Sequence, residues 1–149
     1  MAIVNSLFDR LTDSEPRNSR EVQAPEWEQF REYKQSVARD LTNLLNTRRS
    51  ENDIPEEFEY TRESIAAYGL QDFTMAPMDP ESIRRAIERT VRHFEPRLSR
   101  VQVALVEGAD FKLSFRIFGM LRMDVGLEPV VYDADVPKES RRFQVLPGR

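Results

Sequence analysis

The stretch FKLSFRIFGMLRM, residues 111–123, decides the fold class of this chain. From position 111 to position 117 every odd residue is apolar and every even residue is polar. Such alternation is typical of a β-strand that buries one face. The same register continues to Met123 and places Gly119 at an inward position. A strand of about thirteen residues is long, so we expect a bend or bulge at Gly119.

Three further segments with a period of two surround this strand. They are Val101–Leu105 before it and Val130–Val136 and Phe143–Val145 after it. The strands follow one another with only turns between them, which predicts an antiparallel meander of three to four strands.

The residues before the meander have the spacing of helices. Pro25 opens a helix from about 26 to 47, which buries a stripe that includes Trp27 and Leu41 and has Ser36 as a candidate break. A second helix begins with Asp79 as its cap and stops before Pro96. The sequence therefore predicts an α+β fold, with N-terminal helices packed on a small antiparallel meander.

Composition shifts divide the chain into two parts. Residues 1–24 combine a short apolar cluster with a polar linker, and residues 25–149 are expected to form a single α+β domain. Within this domain, residues 51–63 contain six acidic side chains and read as an exposed loop. A short helix around Ser64–Tyr68 then closes at Gly69.

Residue usage excludes several classes of site. The 149 residues include no cysteine, which excludes disulfides, thiolate zinc sites and cysteine nucleophiles. His93 is the single histidine, so no two-histidine metal site exists, and we read it as an ordinary surface or half-buried side chain. The chain also lacks a glycine-rich phosphate loop and a nucleophile elbow. We therefore expect no cofactor, no metal and no small-molecule substrate.

The charge and hydropathy of the chain limit its partners and location. The net charge of −4 argues against bulk binding of nucleic acid. No stretch has the length of apolar sequence that a membrane helix needs, so we expect no direct membrane insertion. The first residues do not resemble a signal peptide, which predicts a cytoplasmic protein.

A basic segment between residues 84 and 100 stands out in this acidic chain. It contains six arginines, among them Arg89 and Arg92, against only two glutamates. One interpretation is a solvated helix face that the acidic stretch 51–63 neutralises. The other is a docking face for an acidic partner. The sequence leaves both open.

The predicted sheet offers a second means of interaction. A meander has two edges, and an edge strand can be extended by a strand from another protein. Val130–Val136, centred on Tyr132, is a candidate receiving strand, although Asp133 and Asp135 would blunt it. If it is the receiving edge, a proline at Tyr132 should be severe. The sequence does not say which strand lies at the edge.

Several short strings, in their order and spacing, resemble those of a known family. They are LFDRL at 7–11, SVARDL and LLNTRR at 36–41 and 44–49, YGLQDFT at 68–74 and FEPRL at 94–98. The chain resembles the TssE family of type VI secretion baseplate subunits. These belong with the contractile-phage baseplate wedge proteins that carry a "lysozyme-like" label. The resemblance spans about residues 7 to 146.

This resemblance implies a structural and non-enzymatic role. The family links wedge subunits to the first ring of the contractile sheath, which implies TssF, TssG, TssK and the sheath subunits TssB and TssC as partners. The sheet is implied to accept strands from the sheath. Two alternatives remain open, namely a peptidoglycan-cleaving hydrolase and a regulatory anti-adaptor of the same fold.

The family's assembly motif corresponds to Glu95, Pro96 and Arg97. Pro96 enforces a sharp exit from the helix, so we expect Glu95 and Arg97 to project from a rigid corner toward a partner. Alanine variants should then fold normally but lose sheath assembly. The alternative is that the two side chains pin the helix to the following strand.

Overall fold

The computed structural model describes residues 25–49, 57–62, 64–71, 79–106, 111–123 and 126–148. The predicted helix and linker at 1–24 and most of the acidic stretch lie outside these residues. The α+β fold class is confirmed. The helices are α1 (Glu26–Asn46), α2 (Glu59–Arg62), a 3-10 turn (Ile65–Ala67) and α3 (Pro80–Phe94). The strands are β1 (Arg48–Arg49), β2 (Leu70–Gln71), β3 (Leu98–Val106), β4 (Lys112–Met123), β5 (Gly126–Pro137) and β6 (Gln144–Pro147).

Prolines and a capping aspartate mark the boundaries of the two long helices. Pro25 precedes α1, which runs without a break through the buried Ser36. At the start of α3 the Asp79 carboxylate accepts the backbone N–H groups of Glu81 and Ser82 at 3.4 and 3.0 Å. Pro96 lies two residues after Phe94, the last residue of α3. These boundaries confirm the predicted ones to within one residue.

Trp27 does not belong to the buried stripe of α1, and that expectation was wrong. Its side chain is 64% exposed, whereas the buried residues of α1 begin at Tyr33 and end at Leu45. A helix is amphipathic only where it faces a core. Within the described residues, the contact of α1 with the core begins with the partly buried Phe30, three residues after Trp27.

The main sheet is a four-stranded antiparallel meander in the order β3-β4-β5-β6. Alternate residues of its strands join the side chains of α1 and α3 in one core. Polar pairs occupy the other face, where Arg116 meets Asp133 at 2.8 Å and Lys112 meets Asp135 at 2.6 Å. Burial raises the pKa of the Asp135 carboxyl, but the hydrogen bonds to Lys112 and Ser114 and the charge of Lys112 together outweigh it and keep the pKa below the ordinary value.

The expected irregularity at Gly119 lies instead on the neighbouring strand. β4 pairs with β5 without interruption, and Gly119 lies opposite Val130. The register shift falls in β3 between Ser99 and Gln102, where Arg100 adopts a φ of 52°. A β-bulge inserts its extra residue into one strand only, and here β3 carries it.

A small parallel pair, β1 with β2, closes the end of α1. The backbone N–H of Leu70 donates to the carbonyl of Thr47 at 2.9 Å. Gly69, with a φ of 105°, allows this approach, because a Cβ there would lie 2.4 Å from the Thr47 oxygen. The predicted closure at Gly69 is confirmed.

Side chains of α1 cover the backbone of β6 and of the residue just before it, Phe143. Asn46 donates to the carbonyl of Phe143 and accepts from its N–H, both at 2.9 Å. The hydroxyl of Thr42 accepts the N–H of Val145 at 3.3 Å. These bonds occupy the groups that another strand would need at this edge.

Side chains of α3 cover the opposite edge, β3. Arg84 donates to the carbonyl of Val103 at 3.1 Å, and Glu88 accepts the N–H of Val103 at 3.3 Å. Arg92 donates twice to the carbonyl of Val101, at 3.0 and 2.8 Å. Both outer strands of the sheet are therefore clamped by a helix over part of their length.

The clamp on β6 predicts that replacing one asparagine of α1 lowers the stability of the protein more than replacing another. Asn46→Ala removes both bonds to Phe143 and should lower the free energy of unfolding by about 1–2 kcal/mol. Asn43→Ala makes the same change at an exposed position of the same helix and should alter it by less than about 0.5 kcal/mol. Urea denaturation of the two variants measures the difference, and equal stabilities would contradict the clamp.

Candidate partner-binding site

The corner between α3 and β3 is held by its own backbone. The N–H of Glu95 donates to the carbonyl of Val91 at 3.0 Å, and the Glu95 carbonyl accepts the N–H of Leu98 at 3.1 Å. Pro96 lies between these two bonds and restricts the turn further. The corner therefore directs the side chains on both sides of Pro96 from a fixed backbone.

The carboxylate of Glu95 turns inward and binds Arg97. Glu95 is only 4% exposed. Arg97 donates from Nε to Glu95 Oε1 at 2.7 Å and from Nη2 to the second carboxylate oxygen. The backbone N–H of Arg97 also donates to Oε1 at 3.2 Å. Such a two-pronged contact is the geometry that a guanidinium makes with a carboxylate.

Arg97 also reaches helix α1. Its Nη2 donates to Asp40 Oδ2 at 2.6 Å, and its Cζ lies 5.9 Å from the centre of the Tyr33 ring. Burial lowers the pKa of Arg97, but the bonds to Glu95 and Asp40 outweigh it and raise the pKa above the ordinary value. One half-buried cation thus joins α1 to the end of α3.

Two polar atoms beside this cluster have no hydrogen-bond partner among the described residues. They are Arg97 Nη1 and the hydroxyl of Tyr132. Burial, followed by the charge of Glu95, raises the pKa of Tyr132 well above its usual value, so the phenol stays protonated. The carboxylates also extend their field to Tyr68, whose pKa is raised by burial first and then by Asp40 and Glu95.

The expectation that Glu95 and Arg97 project away from the protein is corrected by this geometry. Both charges are satisfied within the chain, as the pinning interpretation holds. The reason is Asp40, which lies 57 residues away from Arg97 and carries no local signal of its role. Contact of Glu95, Pro96 and Arg97 with a partner stays a prediction.

Tyr132 is not on an open edge, and that expectation is also corrected. β5 lies between β4 and β6, and the Tyr132 side chain is 0% exposed. A proline there would break the ladder to Ile117 of β4, so its effect would not report on a partner. The sequence could not exclude Val130–Val136 as an edge strand, because apolar and polar residues alternate in the same way in inner and outer strands.

The basic segment is divided between internal and surface roles. Arg84 and Arg92 bond to Glu88 at 2.9 and 2.7 Å as well as to β3. Arg85 and Arg89 have exposed side chains. The segment therefore combines arginines that bond within the chain with exposed arginines, and docking of a partner on this face stays a prediction.

The comparison with known families agrees with this architecture. Residues 31–125, from within α1 to just beyond β4, match the family model of baseplate wedge protein gp25. The chain belongs to this family, which is the family of TssE, and the predicted relationship is confirmed. No curated protein and no solved structure matches the chain. No helix in the described ranges is long and apolar enough to cross a membrane.

Removing either member of the corner pair should destabilise the protein. Arg97→Ala leaves Glu95 buried without its cation and should cost about 3 kcal/mol or more. Glu95→Ala leaves Arg97 with Asp40 as its remaining carboxylate partner and should cost less. Arg97→Lys should be intermediate, because an ammonium cannot reproduce the planar fork. Thermal melts test this, with the exposed Arg122→Ala as the control. If Arg97→Ala melts at the same temperature as the wild type, the pinning role of Arg97 is contradicted.

Removing the hydroxyl of Tyr132 should have the opposite effect on stability to removing a member of the corner pair. Tyr132→Phe removes a buried polar atom that has no partner among the described residues, so stability should be unchanged or raised by up to about 1 kcal/mol. Chemical denaturation measures this. A loss of more than about 1 kcal/mol would show that the hydroxyl is hydrogen-bonded in solution, for example through a buried water.

Proposed function

We propose that this protein is the TssE-type subunit of a type VI secretion baseplate, acting in the cytoplasm as a structural component. It joins the wedge subunits TssF, TssG and TssK to the first sheath ring of TssB and TssC. The observation that carries the proposal is the family match, which extends over α1, α3 and half of the main sheet. We take residues 25–149 as one domain for this role.

The site supports a scaffold more than a hydrolase. Glycoside hydrolysis needs two carboxylates that flank the sugar, one of which gives up or accepts a proton. Glu95 and Asp40 come together at the corner, but Arg97 lies between them and bonds to both. The guanidinium of Arg97 therefore occupies the place between the two carboxylates that the scissile bond of a sugar would need.

A receiving edge for a sheath strand is available at the start of β5. Within the described residues, β6 pairs only with Tyr132–Asp135, and Gly148 then donates to the carbonyl of Val131. Strand alternation turns the N–H of Leu127 to this same side, away from β4. Pro129 contributes a carbonyl there but no N–H. We place strand addition at this bare portion of β5.

Wedge contacts are proposed for the corner and for Arg89. Glu95, Pro96 and Arg97 offer a partner a rigid shape, and Arg97 keeps part of its side chain in solvent. Arg89 is exposed on α3, beside Arg92. A charge on this helix face can steer a wedge subunit and determine its orientation.

Counting fluorescent sheaths in the native host tests the function. A strain lacking this gene should assemble almost no sheaths, and the wild-type gene should restore them. Leu127→Pro removes one outward N–H and should fold yet fail to restore sheaths, whereas Leu127→Ala removes the side chain alone and should restore them. Normal sheaths without the gene would disprove the proposal. Normal sheaths with a folded Leu127→Pro protein would exclude this edge.

A further inference from the structure

The outer face of the main sheet, which lies away from the helices, has a charged end and an apolar end. Ion pairs that link β4 to β5 occupy the charged end. At the other end the outward positions of β4, β5 and β6 carry apolar side chains. We call these five residues the outer patch: Phe118, Met120, Pro129, Val131 and Leu146. An antiparallel sheet whose outer face meets water normally carries polar residues there, so the outer patch departs from that pattern.

The strand register makes the outer patch continuous. Phe118 lies opposite Val131, and Met120 lies opposite Pro129, on neighbouring strands. Leu146 of β6 is a diagonal neighbour of Val131 on the same face. Phe118 is 39% exposed and Leu146 is 65% exposed. A continuous exposed apolar surface marks a place where another element packs.

The outer patch lies close to the start of α1. Lys34 of α1 donates from Nζ to the carbonyl of Gly148 at 3.1 Å, and the N–H of Gly148 donates to the carbonyl of Val131 at 2.8 Å. Glu26, the first residue of α1, lies about 12 Å from Lys34 along the helix axis. The chain therefore enters α1 near the edge of the outer patch.

The sequence before α1 contains an apolar stripe that matches such a surface. Residues 3–11 include five apolar side chains with the spacing of one helix face, namely Ile3, Val4, Leu7, Phe8 and Leu11. A helix of so few residues is marginal in water and needs a surface on which to bury its stripe. Residues 12–25 can extend over roughly 45 Å, which is enough for the stripe to reach the outer patch.

We propose that residues 3–11 pack on the outer patch as a short helix, with their apolar stripe against the sheet. The charges at the other end of this face are paired within the chain, so apolar contact rather than charge selects the occupant. Covalent attachment also favours this segment, because a tethered segment has an effective concentration of about millimolar, whereas a partner must be recruited from solution. The competing occupants are a second copy of the chain and an apolar segment of a partner.

Cross-linking between introduced cysteines tests the proposal in the full chain, which has no cysteine of its own. Ser6→Cys with Gln144→Cys places one thiol beside the stripe and one beside the outer patch, and leaves both intact. The control, Ser6→Cys with Arg85→Cys, places the second thiol at an exposed position of α3, on the opposite side of the sheet. A short bismaleimide should link the first pair within one chain about tenfold faster than the control pair, which measures random encounters of a tethered segment.

Polar substitutions in the stripe test whether apolar contact holds the segment. In the first cysteine pair, the added changes Ile3→Ser and Phe8→Ser should lower the linking rate to that of the control pair. Asn5→Ser with Thr12→Ser changes two residues outside the stripe and should leave the rate within about twofold. Thermal melts verify that every variant folds.

Three results would overturn the inference. The first is an equal linking rate for the two cysteine pairs, which would leave the outer patch to a partner. The second is a linking rate that the two serines of the stripe do not change. The third is linking between chains instead of within one chain, seen by mass spectrometry, which would assign the outer patch to a second copy. Because the test uses the purified chain alone, its failure is distinct from failure of the proposed function.

Discussion

The guanidinium of Arg97 is the contact on which the arrangement of helices and sheet depends. It binds Glu95 at the end of α3 and Asp40 in the middle of α1, while its backbone leads into β3. A buried ion cluster adds little net stability compared with an apolar core of the same volume, because each charge must leave water. Its geometry is exacting, however, since a planar fork meets two carboxylates in few orientations. We interpret the cluster as fixing the orientation of α1, α3 and β3 relative to one another.

Polar side chains of the helices also determine which strand edges of the sheet stay open to pairing. Its outer strands would be exposed templates for pairing, yet Asn46 and Thr42 cover β6, and Arg84, Glu88 and Arg92 cover β3. The helices therefore contribute apolar faces to the core and polar side chains to the strand edges. The bare start of β5 is an exception among the described residues, and for that reason we propose it as the place of strand addition.

Much of the fold could be predicted from the sequence because its signals are local. Asp79 caps a helix through bonds two and three residues away, and the period of two in β4 depends only on neighbouring residues. The failures have non-local causes. Trp27 has helical spacing but no core to face, and the bulge near Gly119 was carried by β3. Tyr132 could not be placed in an inner strand without knowing where β6 packs.

The sequence predicts where the candidate site lies but not the direction in which its charged side chains point. Glu95, Pro96 and Arg97 stand out as a motif at a helix end, and the structure confirms a tight corner there. What turns the two charges inward is Asp40, which no spacing rule connects to a residue 57 positions later.

The bonds between α1 and β6 also constrain the order of folding during synthesis. Asn46 and Phe143 are 97 residues apart, and Thr42 and Val145 are 103 apart. At a ribosomal rate of roughly 5–20 residues per second, α1 waits for about 5–20 seconds before its partners in β6 exist. During that interval the polar side chains of Thr42 and Asn46 face water. The edge of β5 that β6 will cover lies open for a shorter time, roughly 0.5–2 seconds, because β6 ends only 10 residues after β5. The nascent chain is thus exposed to premature strand pairing until its last strand emerges, which is the stage at which a chaperone would have most effect.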